Sequence, residues 1–118
     1  MKARVEAFRH AFRGARVLVT TQPHAKFHAV ASLVVVLAGF WCKLTTLEWA
    51  LIVCSISIVW LSEAMNTALE FLADEVSLEW RERIKHAKDV AAFSVLAAAI
   101  GAATIGVLVF TPYVFGRS

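Results

Sequence analysis

Glu63, Asn66, Glu70 and Asp74 are separated by 3, 4 and 4 residues. On an α-helix advancing ~100° per residue they fall within an arc of roughly 80° on one face. Three carboxylates and an amide are hard oxygen donors, the set that suits Mg²⁺ held together with a phosphate substrate. A carboxylate in such a row also serves as general base toward an alcohol when its oxygen reaches the hydroxyl. The row follows a charge-free stretch, Trp49 to Ser62. Glu63 therefore belongs within the boundary of a bilayer, where an ionised carboxylate costs at least ~2.5–3.5 kcal/mol near the centre and persists only beside a partner, a cation or a proton. Asp74 and Glu75 lie nearer a polar loop and read as a capped, solvated helix end. Lys88 and Asp89 are adjacent opposite charges that suit either an interfacial anchor or contact with phosphate oxygens and a metal.

The elements that must position these groups follow from composition. The chain has 118 residues, 59% hydrophobic and 18% charged, with mean hydropathy +0.68. Soluble domains sit nearer ~45–50% apolar and ~25% charged. A soluble globule of this size buries too little surface to hide so much apolar side chain, and a disordered chain is excluded by the same composition. The expectation is a single-domain (1–118), all-α membrane protein with an N-terminal amphipathic surface helix and three transmembrane helices. In the surface helix, about 3–20, Val5, Phe8, Phe12, Ala15 and Val19 recur at helical spacing among four arginines, a pattern suited to lying in the membrane interface. The spans are expected at about 26–42, 47–75 and 86–112. A short connection, Lys43–Thr46, and a polar loop, Ser77–Lys88, join them, with Pro112 and Gly116 marking the end of the last. Ala97–Ala99, Gly101, Ala102, Ala103 and Gly106 suit close helix packing.

The N-terminal arm and the second loop together carry ten Lys and Arg residues, against Lys43 and Arg117 on the other side. The positive-inside rule then puts the N-terminus in the cytoplasm. The net charge of +3 is explained by this asymmetry, so no nucleic-acid partner is implied. Cys42 and Cys54 read as buried hydrophobes. His24 and His28 are four apart but lack the further ligands of a metal site. No cleavable signal peptide is expected. The chain has no GxxxxGK[ST] loop, no GxGxxG and no kinase-type catalytic loop, so any ATP is handled without the common soluble scaffolds.

Glu63-Ala-Met-Asn66-Thr-Ala-Leu-Glu70-x-x-x-Asp74, followed by Ala87-Lys88-Asp89, resembles the prokaryotic diacylglycerol kinase family, small integral membrane lipid kinases that include undecaprenol kinases. The resemblance covers nearly the whole chain. It implies Mg²⁺-dependent transfer of the ATP γ-phosphate to a lipid hydroxyl at the cytoplasmic interface of a bacterial inner membrane, by a multi-pass homotrimer. By position it implies Glu63 as catalytic base, Glu70 as a magnesium ligand and nucleotide contact, and Asn66 and Ala92 as substrate-positioning residues. Lys88 resembles the lysine on the ATP phosphates, with Asp89 beside it. Glu79, Trp80 and Arg81 fall where the family's loop closes over the nucleotide, and His10 where the family contacts adenosine.

The chain departs from the family at Gln22, where a second metal-binding glutamate is expected; an amide oxygen can ligate magnesium but brings no charge. The run Val90-Ala-Ala-Phe looks more like the undecaprenol kinases than the diacylglycerol kinases. The competing readings are a proton-coupled small transporter that exchanges protons at Glu63 and a non-catalytic membrane scaffold. Neither accounts for the gathering of Asn66, Glu70, Asp74, Lys88 and Asp89 near one surface.

Overall fold

The computed structural model describes residues 1–116; Arg117, counted above on the sparse side of the charge asymmetry, lies outside them. Four helices follow one another: α1 (Lys2–Thr21), α2 (Pro23–Cys42), α3 (Thr46–Val76) and α4 (Glu82–Val114). The last three are long and apolar enough to cross a membrane. At ~1.5 Å per residue, α2 matches a hydrocarbon layer of about 30 Å, whereas α3 and α4 exceed it by several turns. The surplus is where the charged residues sit, at the C-terminal end of α3 and the N-terminal end of α4.

The junctions are set by local chemistry. Gln22 is extended and Pro23 occupies the first turn of α2, where its missing N–H breaks no helical bond. The α2–α3 corner turns on Lys43, which is left-handed at φ 55°. Thr45 then caps α3 reciprocally: Glu48 N donates to Thr45 Oγ1 at 3.2 Å, and Thr45 N donates to Glu48 Oε1 at 3.0 Å. This satisfies two of the N–H groups a helix start leaves open.

Three boundaries differ from the sequence expectation. α2 begins at Pro23 rather than near 26, because proline is preorganised for a first turn. The loop expected over Ser77–Lys88 shrinks to 77–81, because the charged residues from Glu82 onward keep their heads in solvent while continuing the helix. α4 also runs through Pro112 to Val114; so near the helix end a proline forfeits one backbone bond and little else.

α3 and α4 form an antiparallel hairpin that supplies most of the tertiary packing. Leu44, Ile52 and Val109 are buried together, with Trp49, Ile56, Ile105 and Tyr113 against them. Gly39 lets α2 approach this corner: a Cβ there would stand 2.6 Å from the Trp49 ring. The hairpin is pinned at both ends, by Tyr113 Oη donating to Glu48 Oε1 at 2.5 Å and by Lys88 Nζ donating to Asp74 Oδ1 at 2.8 Å. In α1, Leu18 is buried, while Val5, Phe8 and Phe12 are exposed. Its Ala11, Gly14 and Leu18 side faces the stretch of α3 from Ser57 to Phe71 across an apolar groove.

Candidate active site

Glu63 is the eighteenth residue of α3, about 26 Å along the axis from its start. Glu70 and Asp74 follow about 10 and 16 Å further on. The row thus climbs from the end of the apolar half of α3 to its solvated end. Glu63 is only 8% exposed, and it is not bare: its Oε1 lies 2.8 Å from His28 Nε2 on α2. The His28 ring is held edge-on by Phe27 and Trp60, with centroids 5.7 and 6.5 Å away. Trp60 is itself fixed, its Nε1 donating to Ser32 Oγ at 3.1 Å. An acid that is expensive at membrane depth has therefore met a polar partner from the neighbouring helix.

Glu63 opens onto a polar cavity of about 400 Å³. Gln22 and His24 line it from the α1–α2 corner, Asn66 and Glu70 from α3, and Ala92 from α4. Five of the residues singled out in the sequence, Gln22, Glu63, Asn66, Glu70 and Ala92, are thus gathered in one place from three elements. Asn66 Oδ1 is sealed from solvent without a hydrogen-bond partner, the one such side-chain atom among the described residues. A buried acceptor left open costs about 1–3 kcal/mol, so this oxygen is suited to a donor or a cation brought by a ligand.

A second recess of about 230 Å³ forms where the α3–α4 loop folds back on α4, and Glu79, Trp80, Arg81 and Lys88 line it. Lys88 lines the second recess and not the first. It is bonded to Asp74 and close enough to feel the charge of Glu70. The solvated end of the acidic stripe, Asp74 with Glu70 near it, therefore faces the charged end of α4. Lys88 and Asp89 are not paired with each other: Asp89 accepts from Lys85 one turn earlier, at 2.5 Å. Successive helix residues point about 100° apart, so only Lys88 turns toward α3. His10 is exposed on α1 and lines neither recess.

No three His, Cys, Asp or Glu residues gather closely enough to hold a metal by themselves among the described residues. Besides Glu63, which is tied to His28, the cavity offers the Glu70 carboxylate, two amide side chains, Gln22 and Asn66, and the His24 ring. That donor set fits a hard divalent cation that takes the rest of its shell from phosphate and water, and the unpartnered Asn66 oxygen agrees with it.

Two histidines acquire a place that their spacing did not show. His24 lines the cavity, and His28 bonds Glu63, so they do not act as a pair with each other. The i, i+4 spacing was visible in the sequence. The Glu63 contact spans 35 residues and exists only once α2 lies against α3.

The prokaryotic diacylglycerol kinase family matches residues 9–110. An undecaprenol kinase of Bacillus subtilis (strain 168) is 35% identical over 107 residues, covering 91% of this chain and 87% of that protein. A diacylglycerol kinase of Synechocystis is 33% identical over 90% of this chain, which spans 61% of that longer protein. A diacylglycerol kinase of Escherichia coli (strain K12) is 26% identical over 81% of this chain and 79% of its own length. With the family matched over most of its length and three helices able to cross a bilayer, the chain belongs to the prokaryotic diacylglycerol kinase family and is a multi-pass bacterial membrane lipid kinase.

Proposed function

We propose that this single domain, residues 1–118, transfers the γ-phosphoryl group of ATP to the hydroxyl of a membrane lipid alcohol at the cytoplasmic face of the inner membrane, with Mg²⁺. The observation that carries the reading is the polar cavity in which Glu63, at the end of an apolar stretch, opens beside Asn66 and Glu70. Phosphoryl transfer asks a protein mainly for positioning and charge neutralisation, and this row of groups supplies both.

In this reading Glu63 takes the proton of the lipid hydroxyl as its oxygen bonds to the γ-phosphorus and ADP leaves. Asn66 and Ala92 shape the cavity around the acceptor. Glu70, with Gln22 and the open oxygen of Asn66, would hold Mg²⁺, which when bound neutralises charge on the phosphates. Lys88 exchanges Asp74 for a phosphate oxygen. The spacing along α3 suits an extended triphosphate, with the base deepest and the cation at the solvated end. Glu79, Trp80 and Arg81 close over the nucleotide, with Asp89 and His10 among its contacts as the family resemblance implies. α1 rides in the interface with Phe8 and Phe12 in the acyl region, and the ten basic residues keep its N-terminus cytoplasmic.

The acceptor favoured is undecaprenol over diacylglycerol. The relative named for undecaprenol is 35% identical, those named for diacylglycerol 33% and 26%, and the Val90–Phe93 run points the same way. A homotrimer is what the family resemblance implies, and Gly101, exposed and with nothing within 4 Å of where a Cβ would stand, leaves room on α4 for another helix. Transport at Glu63 is not favoured, since the family is one of phosphotransfer.

The test is purified protein in a bilayer with labelled ATP and Mg²⁺, offered undecaprenol and diacylglycerol separately. Label is expected in lipid, undecaprenol first. Glu63→Gln is expected to lower turnover by at least about 10²–10⁴-fold, the usual contribution of a general base. Undiminished lipid phosphorylation by Glu63→Gln would overturn the assignment.

A further inference from the structure

We infer that His28 is the residue that positions Glu63 for phosphoryl transfer; the inference rests on reading Glu63 as the base. A carboxylate acting as base only accepts hydrogen bonds, so at 2.8 Å His28 Nε2 is the donor to Glu63 Oε1. That bond commits Oε1. Oε2 takes no hydrogen bond among the described residues, and it is not a sealed atom, since Asn66 Oδ1 alone has that standing. One oxygen of Glu63 is thus tethered and the other is available to a hydroxyl. A glutamate has three side-chain torsions. Tethering one oxygen to a ring that is itself wedged by Phe27 and Trp60 selects a rotamer, and a misplacement of about 1 Å can cost about 10²-fold in rate. Because His28 belongs to α2 and Glu63 to α3, the bond also couples the aim of the base to the packing of the two helices.

The experiment uses the full-length protein in a bilayer with labelled ATP and undecaprenol. His28→Phe keeps the ring and removes the donor. It is expected to lower kcat by about 100-fold while KM for ATP and for lipid stays within about 2-fold. His28→Gln places an amide N–H near the position of Nε2, and His28→Asn places one near Nδ1. Gln is expected to recover kcat to within about 10-fold of the parent, and Asn is not. This contrast also decides the matter if His28→Phe fails to assemble. Unchanged kcat in His28→Phe would overturn the inference, as would equal kcat in Gln and Asn, or a loss that tracks thermal stability and not side-chain reach. The two readings fail separately. An active Glu63→Gln overturns the base assignment, whereas an inactive Glu63→Gln beside a fully active His28→Phe overturns only the role of His28.

Discussion

Lys88 Nζ sits 2.8 Å from Asp74 Oδ1, a partner 14 residues earlier in the chain, and so joins the solvated ends of α3 and α4. The lysine is about one-third exposed and the aspartate half-exposed. Water screens such an exposed pair, so a stronger anion can displace it. A bound nucleotide is such an anion.

Lys88→Ala is therefore expected to raise KM for ATP by about 10–100-fold, the equivalent of a hydrogen bond to a charged group, with KM for lipid unchanged. Asp74→Asn removes the competitor and is expected to lower KM for ATP by about 2–5-fold. Initial rates over an ATP series check both. A rise in KM for Asp74→Asn would show that Asp74 aims the lysine and does not compete for it.

Gln22 lines the same cavity as Glu70 and has an amide where the family resemblance expects a carboxylate. Gln22→Glu adds a negative oxygen donor there. The Mg²⁺ concentration for half-maximal rate is expected to fall by about 3–10-fold. A titration at fixed ATP measures it, and a constant or higher value would remove Gln22 from the metal set.

The opposite end of the hairpin should matter for stability and not for chemistry. Tyr113 reaches Glu48 across the hairpin, and Glu48 is about 22 Å along α3 from Glu63. Tyr113→Phe is expected to cost about 1–2 kcal/mol in denaturant unfolding, with kcat retained.

Gly39 offers a sharper packing test. Its absent Cβ would lie 2.6 Å from one Trp49 ring carbon and 3.1 Å from Leu44 Cδ1. Trp49 also packs against Phe40, with centroids 4.9 Å apart, so the ring has little room to yield. Gly39→Ala is expected to destabilise by about 1–2 kcal/mol, the overpacking strain exceeding the better helix propensity of alanine. Gly14→Ala, with nothing within 4 Å, should not destabilise. Thermal melts of the two variants in the same detergent compare them directly.

The helices, the three spans and the acidic stripe could be read from the chain by itself. Each depends on residues close in sequence: charge-free runs set the spans, and the 3-4-4 spacing puts Glu63, Asn66, Glu70 and Asp74 on one face whatever surrounds them. Boundaries were less legible where charged residues continue a helix past the membrane, as at Glu82–Lys88. Partners could not be read at all. That Lys88 bonds Asp74 and not Asp89, that Gln22 and Ala92 meet at one cavity, and that His28 holds Glu63 are facts of how α2, α3 and α4 lie together. Periodicity tells a helix which face is polar, but the rotation and offset of one helix against another follow from side-chain fit, such as Trp49 settling over Gly39, and pattern along a single strand of sequence carries no measure of that fit.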